Sequence, residues 1–75
     1  MTENDLLREM LRLHKAGEGL PNSLVNDNFE SLSLLWDKGL SSYRVTKMAA
    51  GNIRCRRVYP GILTPVGIER AKAIN

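Results

Sequence analysis

The chain has 75 residues, 43% of them hydrophobic and 25% charged, with a net charge of +3 and one cysteine. No apolar run reaches the roughly 18–20 residues that cross a bilayer, a lone cysteine forms no internal disulfide, and the acidic start "MTENDLLREM" is unlike a secretory or transit peptide. The expectation is one domain over residues 1–75, in the cytoplasm of a bacterium or encoded by a phage or plasmid, with a thin core because so short a chain buries only about 60% of its unfolded surface.

Charge divides the chain in two. Residues 1–40 carry seven acids and four bases, net −3, whereas residues 41–75 carry one acid and seven bases, net +6. From Ser41 to Val58 there is no acid at all, and "GNIRCRR" (Gly51 to Arg57) packs three arginines into seven residues. Such asymmetry points to a polyanionic or acidic partner for the second half; the plain alternative is a solvated hairpin with arginines for solubility.

The spacing of Leu6, Leu7, Met10, Leu11, Leu13 and His14 predicts a helix over Asp5–Ala16. Thr2 or Asn4 caps it, Glu3 and Asp5 suit its positive end, and Gly17 stops it. "EGLPNS" reads as a loop, and "SLVND" as a single helical turn with Leu24 and Val25 touching the core. Asn28–Lys38 is a second strong helix. Asp27 or Asn28 is its N-cap, and Phe29, Leu32, Leu35 and Trp36 share its apolar stripe with Leu34 beside it. Trp36 at that spacing reads as core. Gly39 ends the helix in a left-handed turn, so that Leu40 reaches back to Leu35.

After Gly39 the period changes from 3.6 to 2. Tyr43 and Val45 face one way and Arg44 and Thr46 the other; past the turn "AAGN", Ile53 and Cys55 oppose Arg54 and Arg56. Arg57 breaks this alternation and marks a bulge or the strand's exit from the core. Residues 42–48 and 53–59 are expected to pair antiparallel. Thr64 then caps a last helix over residues 65–73, with Pro65 at its first position, Leu63 stapled to Ile68, and Ile68, Ala71 and Ile74 inward.

A helix ending in "LLWDKGL", a hairpin, and "ILTPVG" opening a further helix resemble the winged helix-turn-helix superfamily, in particular MarR-type regulators and small phage-associated winged-helix proteins. Residues 28–70 carry the likeness. Leu35, Gly39 and Leu40 close the third helix, and Ile62, Leu63, Thr64 and Gly67 mark the return of the wing and the start of the final helix. The resemblance implies an α+β fold, a small winged helix-turn-helix domain with helices followed by a β-hairpin wing and a C-terminal helix. It also implies double-stranded DNA as partner, with the 28–38 helix in the major groove. The residues of that helix depart from the pattern: it offers Asn28, Glu30, Ser31, Ser33 and Asp37 outward, and Lys38 is its only base. Phosphates repel such a face, and no arginine is there to read guanine.

Two functions follow as expectations. The first is a DNA-binding protein or transcriptional regulator whose wing residues Arg44, Lys47, Arg54, Arg56 and Arg57 grip phosphates, with Lys38 and Ser33 as minor contacts. The second is a phage or plasmid accessory protein that uses the same scaffold to bind or inhibit another protein, one that presents an acidic surface. A homodimer through the first and last helices is expected, because Leu7, Leu11 and His14 with Ile68 and Ile74 exceed what so small a core can cover. No enzyme, cofactor or metal is expected. His14 and Cys55 are each the only one of their kind, no phosphate loop is present, and Cys55 reads as a small core residue and His14 as a helix-end residue packing its ring.

Overall fold

Thr2 starts the first helix by closing a reciprocal capping box. In the computed structural model, which describes residues 1–48 and 50–74, its hydroxyl accepts from the Asp5 amide (3.1 Å) and its own amide donates to the Asp5 carboxylate (3.3 Å). The helix, α1 (Glu3–Ala16), buries Leu6, Leu7, Met10 and Leu13 and ends at Gly17, whose φ of 71° is left-handed. The expected single turn is a helix in its own right, α2 (Asn22–Asp27), with Val25 buried. Asn28 separates it from α3 (Phe29–Asp37). Asn28 holds the N-cap position, but its side-chain amide donates backwards to the Leu24 carbonyl (3.1 Å), so it closes α2 rather than capping α3.

The end of α3 follows the sequence expectation. The Leu40 amide donates to the Leu35 carbonyl (2.9 Å) and the Gly39 amide to the Trp36 carbonyl (3.0 Å), the paired bonds of a Schellman motif, with Gly39 at φ 76°. Leu35 and Leu40 are both buried. The chain then runs extended as β1 (Tyr43–Lys47), turns, and returns as β2 (Ile53–Arg57) in an antiparallel pair. One further backbone bond continues the ladder beyond each end: Met48 N–H to Asn52 O (2.7 Å) and Val58 N–H to Ser42 O (2.8 Å). Ala49, the first residue of the expected turn, lies outside the described residues; Gly51 takes a φ of 85°.

The segment after the hairpin crosses back over residues 40–42. Ser42 N–H donates to Ile62 O (3.0 Å), Thr64 N–H donates to Leu40 O (3.0 Å), and Ser41 and Leu63 form an isolated antiparallel bridge. Thr64 then caps α4 (Pro65–Lys72): its hydroxyl accepts from the Gly67 amide (3.0 Å) and donates to the Gly39 carbonyl (2.6 Å), tying the start of α4 to the end of α3. Only glycine fits at position 67, because a Cβ there would stand 2.0 Å from the Leu40 carbonyl oxygen. The fold is therefore a small α+β arrangement: three helices, a two-stranded antiparallel hairpin and a C-terminal helix. Its core joins Leu6, Met10 and Leu13 of α1, Val25 of α2, Leu32 and Leu35 of α3, Tyr43 and Val45 of β1 and Ala71 of α4, with Leu40, Ile62 and Leu63 from the connecting segments.

The hairpin rests on α3 through β1 and on α2 through β2, and α4 lies against α1. That last contact uses the surface expected to meet a second copy. Leu7 is buried, while Leu11, Ile68 and Ile74 are half-buried against the core. The His14 ring is likewise used within the chain: its Nδ1 accepts from the amides of Ile62 (3.1 Å) and Leu63 (3.4 Å).

Candidate nucleic-acid interface

The hairpin register sorts the positive charge by face. Tyr43, Val45 and Lys47 pair with Arg57, Cys55 and Ile53 on the core side, where Tyr43 and Val45 are buried, Ile53 and Cys55 half-buried, and Lys47 and Arg57 at the ends exposed. Arg44 pairs with Arg56 and Thr46 with Arg54, and these four side chains are exposed on the opposite face. Directly opposed like charges destabilise a strand pair. Among the described residues no acid forms an ion pair with Arg44, Arg54 or Arg56. The outer face of the hairpin is thus a strip of three arginines held in place by the residues between them.

The other bases named from the sequence are placed elsewhere. Arg57 marks no bulge, since the register runs one-to-one from Tyr43↔Arg57 to Lys47↔Ile53; of the two expected readings it is the strand's exit, being the last residue of β2 and exposed, as are Val58 and Tyr59 after it. It occupies a core-side position at the strand end. Its guanidinium sits 5.3 Å from the Tyr43 ring centre, and Nε and Nη2 donate to the Tyr43 hydroxyl at 3.0 and 2.6 Å. A long basic side chain can cover an aromatic ring and keep its head wet, which is why an inward position tolerates arginine here. Lys47 is also on the core side, with its ammonium 5.8 Å from the centre of the Phe29 ring. Lys38 is paired with Glu3 of α1 (Nζ to Oε1 2.7 Å), and Ser33 is half-buried on α3. The structure gathers Arg44, Arg54 and Arg56, sets Arg57 at their border, and leaves Lys47, Lys38 and Ser33 apart from the strip.

Trp36 is where the sequence reading needs correction. It is half-buried and lies outside the core cluster; its ring stacks on Tyr59, with centroids 6.0 Å apart and planes 25° from parallel. Leu32 and Leu35 fill the centre of the α3 stripe, and Trp36, the residue after Leu35, is left at the stripe's margin. Tyr59 is 52% exposed and Val58 46%. Trp36, Arg44, Arg56, Arg57 and Val58 together line a surface depression at the base of the hairpin. The sequence signal was present in the adjacency of Leu35 and Trp36, since consecutive helical residues lie about 100° apart and a stripe centred on Leu32 and Leu35 leaves Trp36 at its edge.

The acids and the remaining candidate groups sit away from the strip. On α1, hydrogen bonds from the Thr2 backbone and side chain, with Arg8 nearby, hold the Asp5 carboxyl below its ordinary range. The Arg12 guanidinium does the same for Glu9. Glu30 and Asp37 are exposed on α3 beside Leu34. Cys55 is half-buried in β2, where burial pushes its thiol pKa up and keeps it protonated. Among the described residues no three His, Cys, Asp or Glu side chains group as metal ligands, and no helix is long and apolar enough to cross a membrane. Compared with known proteins, the chain matches no family model, no curated protein and no solved structure.

Proposed function

We propose that this chain is a small winged-helix-like domain that binds double-stranded DNA by gripping phosphates with the outer face of its hairpin wing. One observation carries the reading: Arg44, Arg54 and Arg56 share an exposed face and have no acidic partner among the described residues. Charge placed where it opposes like charge, without local compensation, is consistent with a polyanion as the missing counterpart. The element order supports the winged-helix comparison, with α2 and α3 meeting at Asn28, a hairpin after α3 and a helix after the hairpin. The acidic exposed side of α3, Glu30 and Asp37, argues that the hairpin and not this helix makes the principal contact.

Binding to a random-sequence duplex, measured across salt concentrations, tests this. Each phosphate neutralised contributes a slope of about −0.9 in log K against log salt. The Arg54→Ala/Arg56→Ala double variant should bind all sequences more weakly and lower the slope by about two. A wild-type slope near zero, with capture of a stoichiometric protein complex instead, would favour the second reading, an accessory protein that docks an acidic protein surface on the strip.

A further inference from the structure

The depression beside the strip has a composition that phosphate binding alone does not require. One wall is the half-buried Trp36 ring, backed by Tyr59, and the rim carries Arg44, Arg56 and Arg57. A flat aromatic surface next to several guanidinium groups suits a ligand that is planar at one end and anionic at the other. A nucleotide has both, and an unpaired one exposes the face of its base. We infer that this depression holds one nucleotide whose base lies outside the duplex stack, the base against Trp36 and its phosphate on Arg44 and Arg56. The inference rests on the phosphate-binding reading of the strip and adds a site to it.

The occupant is a strand and not a free nucleotide, because the cationic surface continues past the depression. Arg54 lies two residues from Arg56 in the same strand, about 7 Å further along the hairpin, the reach of one extended nucleotide. A single-stranded segment can therefore place successive phosphates on Arg56 and Arg54 while one base reaches Trp36. The Trp36–Tyr59 pair is already in mutual contact, so the base packs on Trp36 from within the depression that it lines and does not insert between the rings. Base stacking of this kind tolerates any base, since each has a π face.

Trp36 is the chain's only tryptophan, so its emission reports on this site alone. The probes are a ten-residue oligothymidylate, an abasic strand of equal length, a blunt duplex and free thymidine monophosphate. The oligothymidylate should quench Trp36 and bind about tenfold more tightly than the abasic strand. Trp36→Leu, assayed with a labelled strand and checked for folding by circular dichroism, should remove that difference and leave abasic binding unchanged. Should Trp36→Leu fail to fold, quenching in the wild type decides alone. Equal binding of the two strands without quenching overturns the inference; if the duplex and abasic strand still bind with a steep salt slope, the phosphate reading survives it. Absence of all binding at low salt sinks both. Quenching by the free monophosphate at the concentrations where the oligonucleotide acts would overturn the choice of a strand.

Discussion

Helix α1 carries two arginines and the hairpin strands carry four, and they dispose of the charge in opposite ways. On α1, Arg8 pairs with Asp5 and Arg12 with Glu9 one turn away, and Glu3 takes Lys38 from the end of α3. On the hairpin, Arg44 stands opposite Arg56, and no acid pairs with either among the described residues. The α1 pairs are exposed, so they add little to stability, but they leave no net field. The hairpin strip adds nothing to the fold and leaves a concentrated one. Charge that serves local structure and charge that is available to a partner can thus be told apart by where the neutralising groups are.

The contrast depends on the hairpin being held rigidly from beneath, and the largest effect should come from breaking that support. Gly67→Ala places a methyl group against the Leu40 carbonyl, a backbone atom that cannot rotate away. It should cost about 3 kcal/mol in urea unfolding. A variant as stable as the wild type would show that the junction of α4 with residues 40–42 is looser than described.

The next effect sharpens the contrast directly. Arg54→Ala/Arg56→Ala should lower affinity for duplex DNA roughly a hundredfold at physiological salt, where the Debye length is about 8 Å. Arg8→Ala/Arg12→Ala removes the same charge from α1 and should leave affinity within about twofold, because nonspecific long-range attraction is screened. Equal losses in the two variants would mean that net charge, not the strip, drives association. Thermal unfolding should separate them in the other direction, with the α1 variant falling slightly and the hairpin variant holding or rising as the Arg44–Arg56 opposition is relieved.

Arg57 sits between the two classes of charge, and Tyr43→Phe asks to which it belongs. Removing the hydroxyl takes away the acceptor for Nε and Nη2. Stability should fall by about 0.5–1 kcal/mol after allowance for solvent exposure, with DNA affinity unchanged or raised as the guanidinium is released. A loss of affinity without a loss of stability would assign Arg57, as held by Tyr43, to the strip.

The smallest effect is on pH. Asp5 and Glu9 have their folded pKa values held down, so the stability they contribute is fully present above the ordinary carboxylate range, near pH 4. It is lost as pH falls through their folded values. β1 and β2 contain no carboxylate. Amide resonances around Asp5 and Glu9 should therefore titrate below the ordinary carboxylate range while those of Arg44, Arg54 and Arg56 stay in place; simultaneous shifts would show that the two regions are coupled.

Most of the fold was legible because its signals are local. Gly17, Gly39 and Thr64 mark helix ends by backbone conformation or side-chain capping, and the change of period after Gly39 announces the hairpin. The contacts that the sequence does not show are those with a partner distant in the chain. Lys38 is neutralised by Glu3, 35 residues away, and His14 is fixed by the amides of Ile62 and Leu63. Neither pairing has a periodicity that a single chain can show. For Arg57 the broken alternation leaves a bulge or the strand's exit open, and the one-to-one register, with the guanidinium over Tyr43, decides for the exit. Trp36 shares the helical spacing of the α3 stripe, but its angular position, one residue past the buried Leu35, puts it at the margin. Of the seven bases and polar residues read as a site, Arg44, Arg54 and Arg56 form a contiguous surface because strict alternation fixes their direction.

An amide chemical-shift titration with a short DNA duplex tests the central claim most directly. Shifts should concentrate on Arg44, Thr46, Arg54 and Arg56 and fade along α1 and α4, with the exposed side of α3 affected less than the hairpin. Shifts led by Ser33, Asp37 and their neighbours on α3, with the hairpin silent, would contradict it.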